Sequence, residues 1–392
     1  MESEGSGPLV PLDFRFLMDQ EPMKFSKAVS TSRKKTLVGL DIGSHSIKAV
    51  EIEHSKRGRT LRNFGIIGTP EDAVVEGSVK DVEAVAGAVK RLFRNLKVKN
   101  RNVAVSLSGY SVIAKKILLQ RMDDPDIERA IKEEAEKYIP YGINEVNLDY
   151  TVLNTGDRLE ETTEEKGASE LNEEMDVLLV AGKSDVIDGY VSLIQAANLN
   201  LGVVDVDVFA MQNAAEISLD DPEGSYAIVT VGANELGINT VHRGISVFSR
   251  DSSYGGAQIT RAIMSRFQVS YEEAEKMKLG GVELDYDRRS DVERIITDTV
   301  LQWITEIKHA LDFVANTYPD ESLTNIFVSG GASETPGFRR HLEDETNIPV
   351  AGLNPFKYLV VDERLFDTDY LQRMAPRAGV AVGLALRSIG DK

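Results

Sequence analysis

The sequence contains no cysteine. Disulfides and thiolate metal sites are therefore excluded, and the chain is indifferent to redox compartment. Its five histidines show no HExxH or paired spacing, which argues against a zinc site. No apolar run reaches the ~18 residues that a membrane span requires. Positive charge is scarce: 45 Lys and Arg stand against 63 Asp and Glu, a formal net charge of −18. Such a surface repels nucleic acid and anionic lipid, so neither is an expected direct partner. The dense basic patch Ser32-Arg33-Lys34-Lys35 lies in a leading stretch, residues 1–35, rich in Gly, Pro and Ser. That stretch opens with Glu2 and Glu4 instead of a basic region, so it reads as a disordered tail or tag and not as a secretory signal. A cytoplasmic protein is the expectation.

What is present is an ordinary globular mixture, 42% hydrophobic and 28% charged, over 392 residues, long enough for two lobes. From Thr36 onward, strand-like runs alternate with amphipathic helical patterns, the signature of an α/β protein. Leu37–Glu53 and Leu61–Ile67 read as antiparallel strands. Asp81–Asn95 reads as a helix with Val82, Val85, Val89 and Leu92 on one face. "NVAVSLS" is a buried strand. Asp124, as a cap, and Pro125 open a helix whose apolar stripe is Ile127, Ile131, Ala135 and Tyr138. Residues 154–174 are rich in acids and nearly devoid of apolar residues, so they read as a loop between two strands. "MDVLLVAG" is the next strand, Val186–Ala197 a helix, and "LGVVDVDVFAMQNAAEI" a strand feeding a helix. Further on, Ser270 and Glu273 form a capping box, and a long amphipathic helix surrounds Trp303–Phe313. Thr335 is expected to cap a helix with Pro336 at its first position, after the strand Asn325–Ser329.

The stretch "LVGLDIGSHSIKAVEIE", Leu37 to Glu53, is a strand, a polar turn and a second strand. Gly43 lets a backbone approach a phosphate, and the N–H groups of residues 43–46 can form an anion-binding concavity. Ser44 and Ser46 add hydroxyls and Lys48 a positive charge. Asp41 would repel a bare phosphate, so its presence points to a magnesium ion held through water. Taken alone, the turn is equally an ordinary hairpin with a polar tip. It has a partner, however, in "SYAIVTVGANELGINTVHRG", Ser225 to Gly244. With Gly43 laid on Gly232 the apolar alternation matches on both sides, so two similar lobes each open with a hairpin. Asp41 then falls on Thr230, Ser44 on Ala233 and Lys48 on Gly237. The first turn keeps its charges and the second does not. Gly330-Gly331-Ala332, after a buried strand, allows a flat base or ribose to lie on bare backbone. Glu275 and Lys278, on the capped helix, can reach ribose hydroxyls and base, although "EEAEK" is also what any solvated helix face looks like.

The order of the segments is more specific than any one of them. "LDIGSHSIK", "VVDVDVFA", "IVTVGANELG", "VSGGASETPG" and "AGVAVGLALR" resemble, in order and spacing, the phosphate 1, connect 1, phosphate 2, adenosine and connect 2 segments of the actin/Hsp70/sugar-kinase superfamily. "QRMDDPDIERAIKEEAEKYIPYGINEVNLDYTVL", "MDVLLVAGKSDVIDGYVSLIQAANL" and "RDSSYGGAQITRAI" with "EEAEKMKLG" resemble its bacterial PilM/FtsA branch. The resemblance covers residues 36–390. It implies an α/β fold of the actin-like (ribonuclease H-like) kind, duplicated in two lobes, with an FtsA/PilM-type subdomain inserted in the first. The first-lobe core would be residues 36–102, completed by 201–225 and 370–392. The insert would be 103–200, and the second lobe 226–369, with its own nucleotide-contacting insertion.

ATP or ADP with Mg²⁺ is the implied ligand. The implied contacts are Asp41, Gly43, Ser44, His45, Ser46 and Lys48 on one hairpin and Gly232, Ala233, Asn234 and Glu235 on the other. Gly255, Gly256, Glu275, Lys278, Gly330, Gly331 and Ala332 complete the set. The superfamily's second hairpin normally begins with an acid where this chain has Thr230, so hydrolysis is expected to be slow or absent. Asp205 or Asp207 could partly replace that acid: Asp205, the candidate catalytic group, joins Asp41 as a candidate magnesium ligand through water, and either could instead be a strand-end residue facing solvent, Asp207 the more readily of the two. FtsA chains typically continue to a membrane-targeting helix, whereas this one ends at "GLALRSIGDK". That ending suits the PilM family, whose members bind the cytoplasmic N-terminal peptide of PilN. PilN would connect the chain to PilO, to other type IV pilus proteins and to the pilus motor ATPases, and would bring it to the inner membrane. The peptide groove is expected within residues 81–150, and the chain to be a monomer or a weak dimer or filament. An FtsA-like filament former and a small-molecule kinase of the sugar-kinase type are the alternatives.

Overall fold

A computed structural model describes residues 36–56, 58–122, 124–153, 174–319 and 322–389. The expectations for residues 1–35 and for the acidic run up to 173 lie outside the described residues, as does the side chain of Asp124, expected as a cap. In chain order the elements are β1 (Val38–Ile42), β2 (Ser46–Ser55), β3 (Gly58–Gly68), β4 (Val74–Val75), β5 (Ser78–Val79), α1 (Val82–Leu96), β6 (Asn102–Leu107), β7 (Val112–Gln120), α2 (Asp124–Tyr138), β8 (Val146–Val152), β9 (Glu174–Lys183), α3 (Ser184–Ala196), β10 (Asn200–Val206) and α4 (Asp207–Glu216). They continue with β11 (Ser225–Val231), β12 (Leu236–His242), β13 (Ile245–Ser252), α5 (Gly256–Phe267), α6 (Tyr271–Lys278), α7 (Tyr286–Thr317), β14 (Asn325–Ser329), α8 (Phe338–Thr346), β15 (Val350–Gly352) and α9 (Thr368–Ala385).

Two five-stranded sheets form the lobes, in the orders β3-β2-β1-β6-β10 and β13-β12-β11-β14-β15. Each is an antiparallel three-strand meander followed by two parallel strands. The duplication seen in the two hairpins therefore extends over both sheets, and the fold is the actin-like two-lobe α/β fold. Central strands are covered on both faces, which is why β1, β6 and β11 read as almost continuous apolar runs. The helices follow their sequence signals. Asp81 caps α1 by accepting from the Ala84 N–H, and Ser270 and Glu273 close a reciprocal capping box on α6. Ile127, Ile131 and Ala135 of α2 are buried, while Tyr138 sits at the rim with the Lys115 ammonium 3.7 Å over its ring. The helix around Trp303 runs 32 residues. Among the described residues no helix is long and apolar enough to cross a membrane.

Several boundaries differ from expectation. The inserted subdomain is the sheet β7-β9-β8 with α2, residues 112–183. β6, expected within it, pairs in parallel with β1 and β10, and α3 packs on α1, so both belong to the first lobe. The second lobe ends near β15. Residues beyond it return to the first lobe, where Phe356 and Leu359 pack on Leu61 and Phe64, and Val360 exchanges backbone hydrogen bonds with β3. Thr335 does not open a helix. A 3₁₀ turn spans Gly331–Glu334, and α8 begins behind Gly337 at φ +82°, a conformation that resets the chain direction and lets Phe338 pack edge-on against Trp303.

The helices α4 and α9, which follow the last strand of each lobe, cross at backbone contact. A Cβ on Gly383 would lie 1.7 Å from the Ala210 carbonyl oxygen, so only glycine fits. Gly383→Ala is expected to cost about 3 kcal/mol in urea unfolding, because backbone must move to admit the methyl group. Gly189→Ala, on α3 with no atom within 4 Å of the new Cβ, should instead stabilise by ~0.5–1 kcal/mol.

Candidate functional site

The two hairpins face each other across a cleft. In the first, the Gly43 N–H donates to the Ser46 carbonyl at 3.1 Å; in the second, the Gly232 N–H donates to that of Glu235 at 2.8 Å. Thr69 fixes the first turn from behind, its hydroxyl donating to the Gly43 carbonyl at 2.6 Å and its N–H to that of His45 at 3.0 Å. The tips touch where Asn234 Nδ2 donates to Ser44 Oγ at 3.1 Å. Strand register confirms the superposition read from the sequence: Asp41 pairs with Lys48 across β1 and β2, and Thr230 with Gly237 across β11 and β12. Lys48 Nζ lies 3.0 Å from Asp41 Oδ2, with both side chains mostly buried.

Between the lobes is a cavity of about 770 Å³. Asp41, Gly43, Ser44, His45, Ser46 and Lys48 line one wall, and Gly232, Ala233, Asn234 and Glu235 the wall opposite. Gly256, Glu275, Lys278, Gly330, Gly331 and Ala332 also reach it. Gly255 does not: it precedes α5 and presses on the Ala233 backbone, whose carbonyl oxygen would lie 2.5 Å from a Cβ there. The first N–H groups of α5, those of Gly256 and Ala257, donate to the Gly232 and Ala233 carbonyls at 3.0 and 2.8 Å, which ties the second hairpin to the helix.

The far wall is rigid. Gly330, at φ +87°, turns β14 into the 3₁₀ segment, and its N–H donates to the Pro376 carbonyl of α9 at 2.6 Å. Lys278 Nζ is 2.5 Å from Glu275 Oε1 and donates to Thr260 Oγ1 at 2.8 Å, while the Thr260 hydroxyl donates to Glu275. Helices α5 and α6 are thus joined by a polar cluster at the cavity edge. Gln258 holds α5 to α7, its Oε1 accepting from Trp303 Nε1 at 2.9 Å.

The acids are distributed differently from expectation. Asp205, the candidate magnesium ligand, is 1% exposed, lies 3.5 Å from Arg387 Nε and does not line the cavity. Asp207 lines it and accepts from the Ser106 hydroxyl, so it does not face solvent. The reversal has a simple cause: β10 ends at Val206, and the turn into α4 breaks the alternation that would have put residues 205 and 207 on one face. Asp251 was missed altogether. It pairs with Gly237 across β12 and β13, in the same row of the sheet as Thr230. Because residue 237 has no side chain, the Asp251 carboxylate lies over it, 3.0 Å from where a Cβ would be. Strand register would have revealed Asp251, but the sequence does not fix the register of the third strand.

Burial and mutual repulsion hold these groups away from their ordinary protonation. Burial, then the charges of Asp41 and Glu235, raises the Asp207 carboxyl well above the usual range. Burial and the neighbouring Asp251 raise Glu235, against a hydrogen bond from Ser108. Burial raises Asp251, against the Gly109 N–H. Burial lowers His45, helped by Lys278, Lys48 and Arg377 and opposed by Glu275. Among the described residues no three His, Asp or Glu side chains converge as direct metal ligands.

A carboxyl raised in the folded state costs stability above its folded pKa, and the cost fades as pH falls toward the unfolded value. For Glu235 the window runs from about 8 down to the ordinary ~4.3. Glu235→Gln should therefore raise the melting temperature relative to the parent at pH 8 and above, with the difference closing toward pH 4. Parallel melting profiles of the two proteins across that range would show that Glu235 does not carry the buried charge.

The profile of the family described as "Type IV pilus assembly protein PilM" matches residues 39–389. A solved structure, the "PilM-PilN type IV pilus biogenesis complex", is 25% identical with a TM-score of 0.78, covering 91% of this chain and 99% of that one. The cell division protein FtsA of Bacillus subtilis (strain 168) is 20% identical over 352 residues, 81% of this chain and 78% of its own. The ethanolamine utilization protein EutJ from Carboxydothermus hydrogenoformans shares the fold, with a TM-score of 0.51 at 16% identity, covering 91% of each chain. The family match over almost the whole described chain, together with the two-lobe architecture and its insert, places this chain in the type IV pilus assembly protein PilM family.

Proposed function

We propose that this chain is an ATP-binding assembly protein of the type IV pilus. Nucleotide in the interlobe cleft sets the state of the inserted subdomain, which grips the N-terminal cytoplasmic peptide of PilN. The observation that carries this reading is the contact between the cleft and the root of the insert. Glu235 lies against Gly109, its Oε1 2.6 Å from where a Cβ there would be, three residues before β7 begins, and β13, which carries Asp251, packs on β7. On the other side of the insert, Leu178 and Val180 of β9 pack against Val206 and Phe209, which flank the cleft residue Asp207. A ligand that draws these carboxylates toward itself changes what the insert rests on. Binding to PilN would connect the chain to PilO and the motor ATPases, and would bring it to the inner membrane.

The residues present fit a nucleotide and its magnesium. Lys48 supplies the cation beside the phosphates, and the turn N–H groups supply donors. Asp41 and Asp207 would hold Mg²⁺ through water, and that ion would neutralise phosphate charge. With threonine at position 230, where the superfamily places an acid, hydrolysis is slow or absent and ATP acts as a ligand that shifts a population. Of the stretch 81–150 expected to line the PilN groove, Ser106 and Ser108 reach the interlobe cavity.

Lys48→Ala should weaken ATP binding at least ~10-fold by calorimetry, because it removes the cation and leaves Asp41 unpaired in the cleft. Unchanged affinity would reject the site. The cognate PilN N-terminal peptide should bind with an affinity that differs between the ATP-loaded and nucleotide-free chain, read by fluorescence anisotropy. The likeness to FtsA makes a filament the second reading. ATP-dependent pelleting, with binding of the FtsZ C-terminal peptide in place of PilN, would favour it.

A further inference from the structure

Arg377, in the middle of α9, lines the interlobe cavity and, among the described residues, pairs with no carboxylate. Its Nη1 donates to the Arg373 carbonyl, one helical turn back, at 3.2 Å. The side chain leaves α9, which packs on the first lobe, and lies against Gly331 of the second. Its Nε, Cγ and Cδ would be 3.4, 3.8 and 4.0 Å from a Cβ at that glycine. The two carboxylates on this wall of the cavity are already engaged, Glu275 by Lys278 and Glu334 by Arg339. In a chain with 63 acids against 45 Lys and Arg, a half-buried guanidinium that no protein acid claims is free to take an anion from solution.

The backbone that carries Arg377 is fixed. The Pro376 carbonyl accepts from the Gly330 N–H at 2.6 Å and from the Ser329 hydroxyl at 2.9 Å. Pro376 and Ala378, on either side of Arg377, are both buried. The guanidinium therefore moves only through its own side-chain torsions. Its field also reaches the first hairpin. Burial is the main cause that lowers the His45 pKa, and Arg377 adds to it together with Lys278 and Lys48. Arg377 thus touches the Gly-Gly turn and faces the first hairpin across the cleft.

These two features are the two ends of the proposed nucleotide site. A nucleotide laid in it puts its base or ribose on the Gly330–Ala332 turn and its outer phosphates at Lys48. The group that passes between them is the phosphate nearest the sugar. Resting on that reading of the cleft, we infer that Arg377 binds this phosphate, the one that ATP, ADP and AMP share. The planar fork of the guanidinium donates to two of its oxygens, a geometry that an ammonium cannot reproduce. Arg377 then supplies affinity common to all three nucleotides, and the distinction between ATP and ADP falls to the first hairpin.

The test is a ligand series measured by calorimetry on the full chain, with weak ligands read by displacement of ATP. Arg377→Met keeps an unbranched stem against Gly331 and removes the fork. It should weaken ATP at least fivefold, and ADP and AMP by the same factor within about twofold. Adenosine, which lacks the phosphate, should bind parent and variant alike. Arg377→Lys, which keeps the charge without the fork, should regain part of the loss. A loss that fades from ATP to AMP, an equal loss with adenosine, or a lysine variant no better than the methionine one would each overturn the assignment. If the parent binds ATP and Arg377→Met binds it equally, the assignment fails and the reading of the cleft stands. If the parent binds no nucleotide, both fail.

Discussion

The cleft between the lobes gathers more carboxyl groups than its own cations could neutralise. Asp41, Asp207, Glu235 and Asp251 all line it, and Lys48, close at hand, is already paired with Asp41. Lys278, at the cavity edge, is paired with Glu275. Burial in a medium of low polarisability makes each remaining carboxylate expensive, and proximity makes the set more expensive than its members. The raised pKa values of Asp207, Glu235 and Asp251 are the record of that cost. The proposed nucleotide, an anion, would worsen the balance if bound alone. With a divalent cation it would improve it, which is the physical reason for coupling the two ligands in the proposed function.

The duplication makes this asymmetry legible. Both lobes are built from the same strand order and the same glycine turn, so positions can be compared row by row. In the first lobe the row at the cleft is Asp41 and Lys48; in the second it is Thr230, Gly237 and Asp251. The acid missing from position 230 has a counterpart two strands away, reaching back over a glycine. The strand that carries that counterpart packs on β7 of the insert, and Glu235 beside it lies against Gly109 at the insert's root. On the proposed reading, the second lobe has exchanged an acid aimed at the phosphates for acids aimed at the inserted subdomain. This is what a protein that reports nucleotide, and does not consume it, would require.

Much of this was readable in the sequence. The two hairpins, the capped helices and the Gly-Gly turn are local features, each with a short-range cause: alternation, a side-chain cap or the need for positive φ. What failed depended on longer range. Asp205 and Asp207 are two residues apart and looked interchangeable, but the strand ends between them, and only the fold shows which one the turn sends into the cleft. Gly255 was expected among the nucleotide contacts, yet it is consumed by contact with Ala233. Thr335-Pro336 matched a helix start, but the helix waits for Gly337. The domain boundaries at 103, 200 and 369 erred for one reason: β6, α3 and the segment after β15 are assigned to a lobe by what they pair with, and pairing is invisible to local pattern.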